Sequence, residues 1–157
     1  MDHRHIIEPE SLKGVADICN AILDKCGRPA SFVHCPVPLS AMGKLDSYFE
    51  PLSTLVPRLK RDSTELYLGL VHEDNIESTR SMIEAAAKVA PEFGVATECG
   101  WGRTPEKHYK SIMDISTAVS EPHSIAVTAS APKKRASHRG RLSGWFKHSM
   151  RSIMGKA

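Results

Sequence analysis

The chain has 157 residues, 41% hydrophobic and 25% charged, a composition ordinary for a globular domain with a core of its own. No apolar run approaches the roughly 20 residues of a membrane-spanning helix, and the mixed, charged N-terminus lacks the pattern of a secretory signal. The four cysteines lack the spacing of a disulfide framework, so we expect reduced thiols and a cytoplasmic location.

The net charge of +3 combines an acidic body with a basic tail. All 18 acidic residues lie at or before Glu121, whereas 8 of the 21 Lys and Arg residues follow it. The tail therefore carries +8 and the body −5. We expect a domain over residues 1–121, a disordered linker over 122–140 and a basic amphipathic helix over 141–157.

The body alternates between the periodicities of helices and strands. Two local signals mark helix starts: Asp74 with Glu77 is typical of a capping box, and Thr104-Pro105 is typical of an N-cap followed by a first helical residue. In chain order the pattern predicts a helix over 11–26, a strand over 30–35, a less regular connection over 39–63, a strand over 66–72, a helix from 74 to about 90, a strand over 93–97 and a helix over 105–119.

Strands that alternate with helices indicate an α/β fold with a parallel sheet. Three strands are few for such a sheet, because both faces need covering and both edges need partners. We therefore expect a partial, TIM-barrel-like set of βα units that belongs to a larger architecture, self-associates, or is completed by another chain. Ligands collect at the carboxyl ends of parallel strands, which is where Glu98 and Cys99 follow the third strand.

Four segments resemble a known family of barrel enzymes. They are Val33-His34-Cys35-Pro36-Val37-Pro38, Tyr48-Phe49-Glu50-Pro51-Leu52, Glu65-Leu66-Tyr67-Leu68-Gly69-Leu70-Val71-His72 and Thr97-Glu98-Cys99-Gly100-Trp101-Gly102. The region from Phe32 to Val119 is similar to the last part of the catalytic barrel of cobalamin-independent methionine synthase, and closer to uncharacterised members of that superfamily, which includes uroporphyrinogen decarboxylase. The resemblance implies a barrel fold and zinc-dependent methyl transfer to a thiol.

The resemblance implies His34 and Cys99 as zinc ligands. Pro36 stands where the family has a second cysteine ligand, and the family's glutamate ligand has no clear counterpart. The alternative is that His34 hydrogen-bonds a backbone carbonyl and Cys99 is a small buried hydrophobe. The competing function is a non-catalytic remnant that acts through its tail.

Four further residues at the same ends of the strands are candidate substrate-binding groups: His72, Glu98, Trp101 and Arg103. The expected role of His72 is to bind an anionic group of the substrate or to fill a vacant position among the metal ligands. The alternative is that it pairs with a nearby carboxylate. We expect Trp101 to stack on a ligand and Arg103 to bind the carboxylate of that ligand. The alternative is that Trp101 covers the core and Arg103 is a solvated cation.

The tail has two signals of its own. Pro132-Lys133-Lys134-Arg135 resembles a nuclear-import signal. Residues 141–157 predict a basic amphipathic helix that binds an anionic membrane or a protein partner. Docking on the acidic body is the second alternative and nucleic-acid binding the third. The binding residues of this helix are expected to be Trp145, Phe146, Lys147 and Arg151.

Overall fold

The computed structural model describes residues 7–120, apart from the side chain of Arg103. The predicted linker over 122–140 and the predicted basic helix over 141–157 lie outside the described residues. The same is true of the tail residues Trp145, Phe146, Lys147 and Arg151.

The described chain alternates between helices and strands, with 3-10 turns before two of the helices. Its elements are α1 (Lys13–Lys25), β1 (Phe32–Pro36), a 3-10 turn (Leu39–Lys44), α2 (Leu45–Phe49), α3 (Leu52–Asp62), β2 (Glu65–Val71), α4 (Ile76–Ala87), β3 (Gly94–Thr97), two further 3-10 turns (Trp101–Arg103 and Glu106–His108) and α5 (Tyr109–Ser120).

The three strands form one parallel sheet in the order β1-β2-β3. His34 lies opposite Tyr67, and Tyr67 lies opposite Gly94. The register between β2 and β3 shifts after Gly69, so that Val71 lies opposite Thr97. The predicted α/β class and parallel βα units are confirmed. Whether the units are part of a barrel stays a prediction.

The main core lies between one face of the sheet and helices α1 to α4. Because side chains alternate along a strand, Leu66, Leu68 and Leu70 all point to this face and are buried. Helix α5 packs against β2 and β3 with a second, smaller cluster that includes Val71 and Ile112. The main cluster also contains Leu12, Ala16, Cys35, Tyr48, Phe49, Leu52, Leu55, Leu59, Met82, Ala85 and Ala86.

The opposite face of the sheet is more open. Phe32 lies there at 60% exposure, and its ring contacts the ring of Tyr67 edge to face at 5.8 Å. Glu65 is exposed beside them, and its carboxylate accepts a hydrogen bond of 3.1 Å from the Tyr67 hydroxyl. In a barrel this face would line the interior.

Three local predictions are wrong in detail. Helix α4 is capped by Asn75, whose side chain accepts a hydrogen bond from the Ser78 amide at 3.1 Å, and not by Asp74. The predicted helix over 105–119 begins only at Tyr109, because residues 106–108 form a 3-10 turn. The helical spacing of Val15, Cys19 and Ile22 predicts that Ile22 lies on the buried face of α1, whereas it is 58% exposed.

A membrane-spanning helix needs about 20 predominantly apolar residues. Among residues 7–120, every helix is too short or too polar to cross a membrane.

Candidate functional site

The carboxyl ends of the three strands meet at one edge of the sheet, as the parallel topology requires. The strands end at Pro36, Val71 and Thr97. The ring of His72, directly after β2, connects the segments that follow the two outer strands. Its Nε2 lies 3.0 Å from the Val37 carbonyl oxygen, and its Nδ1 lies 3.7 Å from Glu98 Oε2.

The His72–Glu98 pair is withdrawn from solvent, with side-chain exposures of 9% and 11%. A carbonyl oxygen only accepts hydrogen bonds, so Nε2 of His72 carries a hydrogen and donates it to Val37. Nδ1 therefore lies on the side of the carboxylate, at a distance at which the two groups form an ion pair when the ring is protonated.

A cavity of about 310 Å³ opens beside this pair. Its walls combine three carboxylates with an imidazole, a hydroxyl and two apolar side chains. Ser40 donates a hydrogen bond of 2.6 Å to Glu8, which holds the N-terminal segment against the first 3-10 turn. The lining residues are Glu8, Pro38, Leu39, Ser40, His72, Glu73 and Glu98.

Tyr48 of α2 is a buried neighbour of these acids, with 1% exposure. Burial, and then the negative charges of Glu98 and Glu8, raises the pKa of Tyr48 to about 12. The hydroxyl therefore stays protonated near neutral pH, so it adds no further negative charge next to the two carboxylates.

His34 reaches across the sheet. Its Nε2 lies 3.1 Å from the Thr97 carbonyl oxygen, although β2 separates their strands. Gly69 makes the crossing possible, because a Cβ there would lie 2.8 Å from Thr97 O and 3.0 Å from His34 Nε2. The side chain predicted as a metal ligand thus makes a backbone hydrogen bond in this structure.

Cys99 lies at the same edge, two residues beyond Thr97. Its Sγ is 3.6 Å from the Gly100 carbonyl, and the Thr97 hydroxyl donates to the Cys99 carbonyl at 2.8 Å. A zinc site needs at least three protein donors around one point. In the part of the chain that the structure describes, no three His, Cys, Asp or Glu side chains are grouped in that way. The described donors therefore do not fit a zinc site.

Trp101 lies beyond the end of β3, beside the start of α5. It is 36% exposed, and its ring lies 5.7 Å from that of Tyr109, tilted by 30°. A gap of about 20 Å³ lies among His72, Glu98, Cys99, Trp101 and Ile112, among other residues. Four of the predicted site residues are thereby brought together. Arg103 ends the adjacent 3-10 turn.

Several residues of this edge were not identified from the sequence. Ser40 follows the first strand closely, so its position beyond the strand end was an available signal. Glu8 and Tyr48 lie far from any strand end along the chain, so their position gives no signal, although Tyr48 begins one of the segments that carry the family resemblance. His72 was expected to pair with an adjacent carboxylate as one alternative, and its partner is Glu98, the residue after β3.

The chain was compared with models of known protein families, with curated proteins and with solved structures. None of the three comparisons finds a match.

Proposed function

We propose that the chain binds a small cationic molecule, such as a primary amine, in the cavity at the carboxyl edge of its sheet. The observation that carries this proposal is the buried His72–Glu98 pair in the wall of a cavity that also presents Glu8 and Glu73. Carboxylates in a partly desolvated wall favour a positive ligand over a negative one.

The size of the cavity suits a metabolite and not a macromolecule. Small-molecule pockets have volumes of about 300–1,000 Å³, and this cavity has about 310 Å³. Pro38 and Leu39 supply an apolar wall for a short carbon chain, and Ser40 supplies a hydroxyl near the charged end.

The chemistry proposed for the pair is proton exchange with the bound amine. With the Nε2 hydrogen of His72 donated to Val37, Nδ1 is the ring nitrogen beside Glu98 that would hold the exchangeable proton. An ammonium group that enters the cavity places its charge beside Glu98, which favours release of that proton. Binding is therefore coupled to a change in the number of protons held by the site.

Calorimetric titration of the full chain tests this proposal. Small amines are titrated beside carboxylates of equal size, in buffers of different ionisation enthalpy so that proton release is counted. The amines should bind with a proton change, and Glu98→Gln should weaken binding about tenfold or more, since the loss of one charged contact costs about 1.5–3 kcal/mol. Glu92→Gln, at the opposite edge of the sheet, is the matched control.

Two results would contradict the proposal: equal binding of amines and carboxylates, or the same weakening in the Glu92→Gln and Glu98→Gln chains. Folding of each variant is checked by its urea transition, so that a loss of binding is assigned to the site.

The family resemblance supports a second candidate, a methyltransferase-like fragment whose missing donors come from a completing chain. The observation that favours it is that His34 and Cys99 lie near the same end of the sheet, because the imidazole of His34 contacts Thr97, two residues before Cys99. Metal analysis of the purified chain, with Cys99→Ser as its control, tests this candidate. Zinc at well below one equivalent, with no further uptake when excess zinc is added, argues against metal binding by the chain alone.

A further inference from the structure

A second cavity lies at the other edge of the sheet, where β2 and β3 begin. Its volume is about 480 Å³, within the range of small-molecule pockets. Glu65, Leu66 and Gly94 line it at the start of the two strands, and the end of α3 and the segment before β3 supply the other walls. The amine site proposed above is at the opposite ends of the same strands, so the two cavities are separate.

This cavity has an apolar floor and a charged mouth. Leu59 and Leu66 are buried, with 3% and 6% exposure, and Val56 and Phe93 are half-buried. The charged side chains of the lining are exposed to solvent, and these are Lys60, Glu65 and Glu92. A charged group that moved past them to the floor would lose its hydration, and leucine offers no opposite charge in return. The floor therefore favours an uncharged ligand.

Tyr67 contributes an aromatic ring that is already held in place. The ring lies against Gly94 of β3, where a Cβ would be 2.5 Å from Tyr67 Cδ1. The Phe32 ring contacts it edge to face at 5.8 Å, and the Tyr67 hydroxyl donates a hydrogen bond of 3.1 Å to Glu65. Because these contacts fix the ring before a ligand enters, less conformational entropy is lost on binding. Phe93 adds a second ring to the wall.

We propose that this cavity binds a small uncharged aromatic compound, such as indole, that packs against Tyr67 and Phe93. Aromatic rings in contact attract one another beyond the effect of the area they bury, which favours a ring over an aliphatic chain of similar size. Transfer of the ligand from water to the leucine floor supplies the rest of the binding free energy.

NMR spectroscopy of the full-length chain with ¹³C-labelled tyrosine rings tests the proposal. The chain has three tyrosines, of which Tyr67 lines this cavity, whereas Tyr48 belongs to α2 and Tyr109 to α5. Tyr67→Phe identifies the Tyr67 signals by their loss. Indole should shift these signals in a saturable manner and leave those of Tyr48 and Tyr109 in place. Indole that shifts no tyrosine signal, or all three alike, would overturn the proposal.

Calorimetric titration with indole tests the role of the ring. Tyr67→Leu keeps an apolar side chain without the ring and should weaken binding about threefold to tenfold, the range typical of an aromatic pair. Tyr67→Phe keeps the ring and should bind indole as tightly as the unaltered chain. Equal affinities of the Tyr67→Leu and Tyr67→Phe chains would show that the ring is not a binding surface.

Filling the cavity is a separate test. Val56→Trp places a large side chain in the lining and should abolish indole binding, whereas Thr54→Trp, at an exposed position of the same helix, should not. Urea transitions show which variants are folded, and the two Tyr67 variants decide the question if Val56→Trp does not fold. Undiminished binding by a folded Val56→Trp chain would place indole elsewhere.

Charged analogues test the class of ligand. Indole-3-carboxylate and tryptamine carry opposite charges on the same ring, and neither should shift the Tyr67 signals at a lower concentration than indole does. An analogue that does so would show that the cavity selects a charge. Glu98→Gln should leave the indole shift unchanged, so this proposal and the amine site are tested independently.

Discussion

The imidazole of His34 lies against Gly69, and Nε2 of the ring is 3.0 Å from the position that a Cβ at residue 69 would occupy. The glycine has an ordinary negative φ, so its role is to leave space and not to permit an unusual backbone. This space lets a side chain of one outer strand hydrogen-bond the backbone of the other. The three strands are thereby linked across one face as well as along their ladders.

Gly69→Ala should destabilise the domain by about 1–3 kcal/mol, the usual effect of overpacking a site that cannot relax. The added methyl group would lie 2.8 Å from the Thr97 carbonyl and 2.9 Å from Glu98 Cα, both of which are backbone atoms. Urea denaturation measures the change. Gly43→Ala is the control, because nothing lies within 4 Å of a Cβ at residue 43. Equal stability of the two variants would contradict the reading of Gly69 as a spacer.

Asp74 should make the stability of the domain depend on acidity. Hydrogen bonding to Ser111 and then to His108 lowers the pKa of Asp74 from 3.8. A carboxyl group whose pKa is lower in the folded state stabilises that state above pH 3.8, and this contribution is lost as the pH falls towards the folded value.

Asp74→Asn removes this dependence and keeps the local backbone, because asparagine also tolerates the left-handed φ of 57° at this position. The unaltered chain should be the more stable one at pH 6, and the difference should shrink as the pH falls below 3.8. Urea transitions over a pH series measure it. Asp46→Asn, which removes an exposed carboxylate paired with Lys88, is the control. A difference that grows on acidification would contradict the assignment.

Exposed apolar side chains on α1 and β1 should cause self-association. Ile18 and Ile22 on α1 are 61% and 58% exposed, and Phe32 on β1 is 60% exposed. Ile18→Lys with Ile22→Lys should shift the protein towards monomer in light scattering across a concentration series. Ser53→Lys with Thr54→Lys adds the same charge at exposed positions of α3 and is the matched control. A monomer in every sample would argue against this interface.

The basic amphipathic segment predicted over 141–157 should bind vesicles that contain phosphatidylserine more tightly than vesicles of phosphatidylcholine. The chain has two tryptophans, Trp101 and Trp145. In a Trp101→Phe chain, a blue shift of the remaining fluorescence reports on Trp145 alone. Phe146→Ala should weaken binding about tenfold, from the loss of buried apolar area. Unchanged fluorescence with both kinds of vesicle would favour the protein-partner alternative.

The order of elements was predictable because each strand and helix carries its own pattern of apolar residues. Leu66, Leu68 and Leu70 alternate along β2, and the helices repeat apolar residues at helical spacing. The first residue of a helix was less predictable where two neighbouring residues can both serve as its N-cap. Asp74 and Asn75 are both good N-caps; in the structure Asn75 caps the helix, and Asp74 pairs with His108 from a distant part of the chain.

The candidate site was predictable only for residues that directly follow strands. His72, Glu98, Cys99 and Trp101 were found in this way, since parallel strands end at a common edge. Glu8 and Tyr48 reach the same edge through packing of the N-terminal segment and α2, which no local pattern specifies. The contact between His34 and Thr97 depends on the order of the strands and on the missing side chain of Gly69.

Within residues 7–120, the order of strands in space equals their order along the chain, so the sheet has two different borders, β1 on one side and β3 on the other. A two-fold axis perpendicular to the sheet joins the same border of two copies with opposite strand directions, so this contact is antiparallel and does not extend the parallel ladder. Joining β3 of one copy to β1 of the next keeps the direction and leaves a new β3 available. Such head-to-tail growth stops only when the rotation per subunit closes a ring, and otherwise it produces an open fibre.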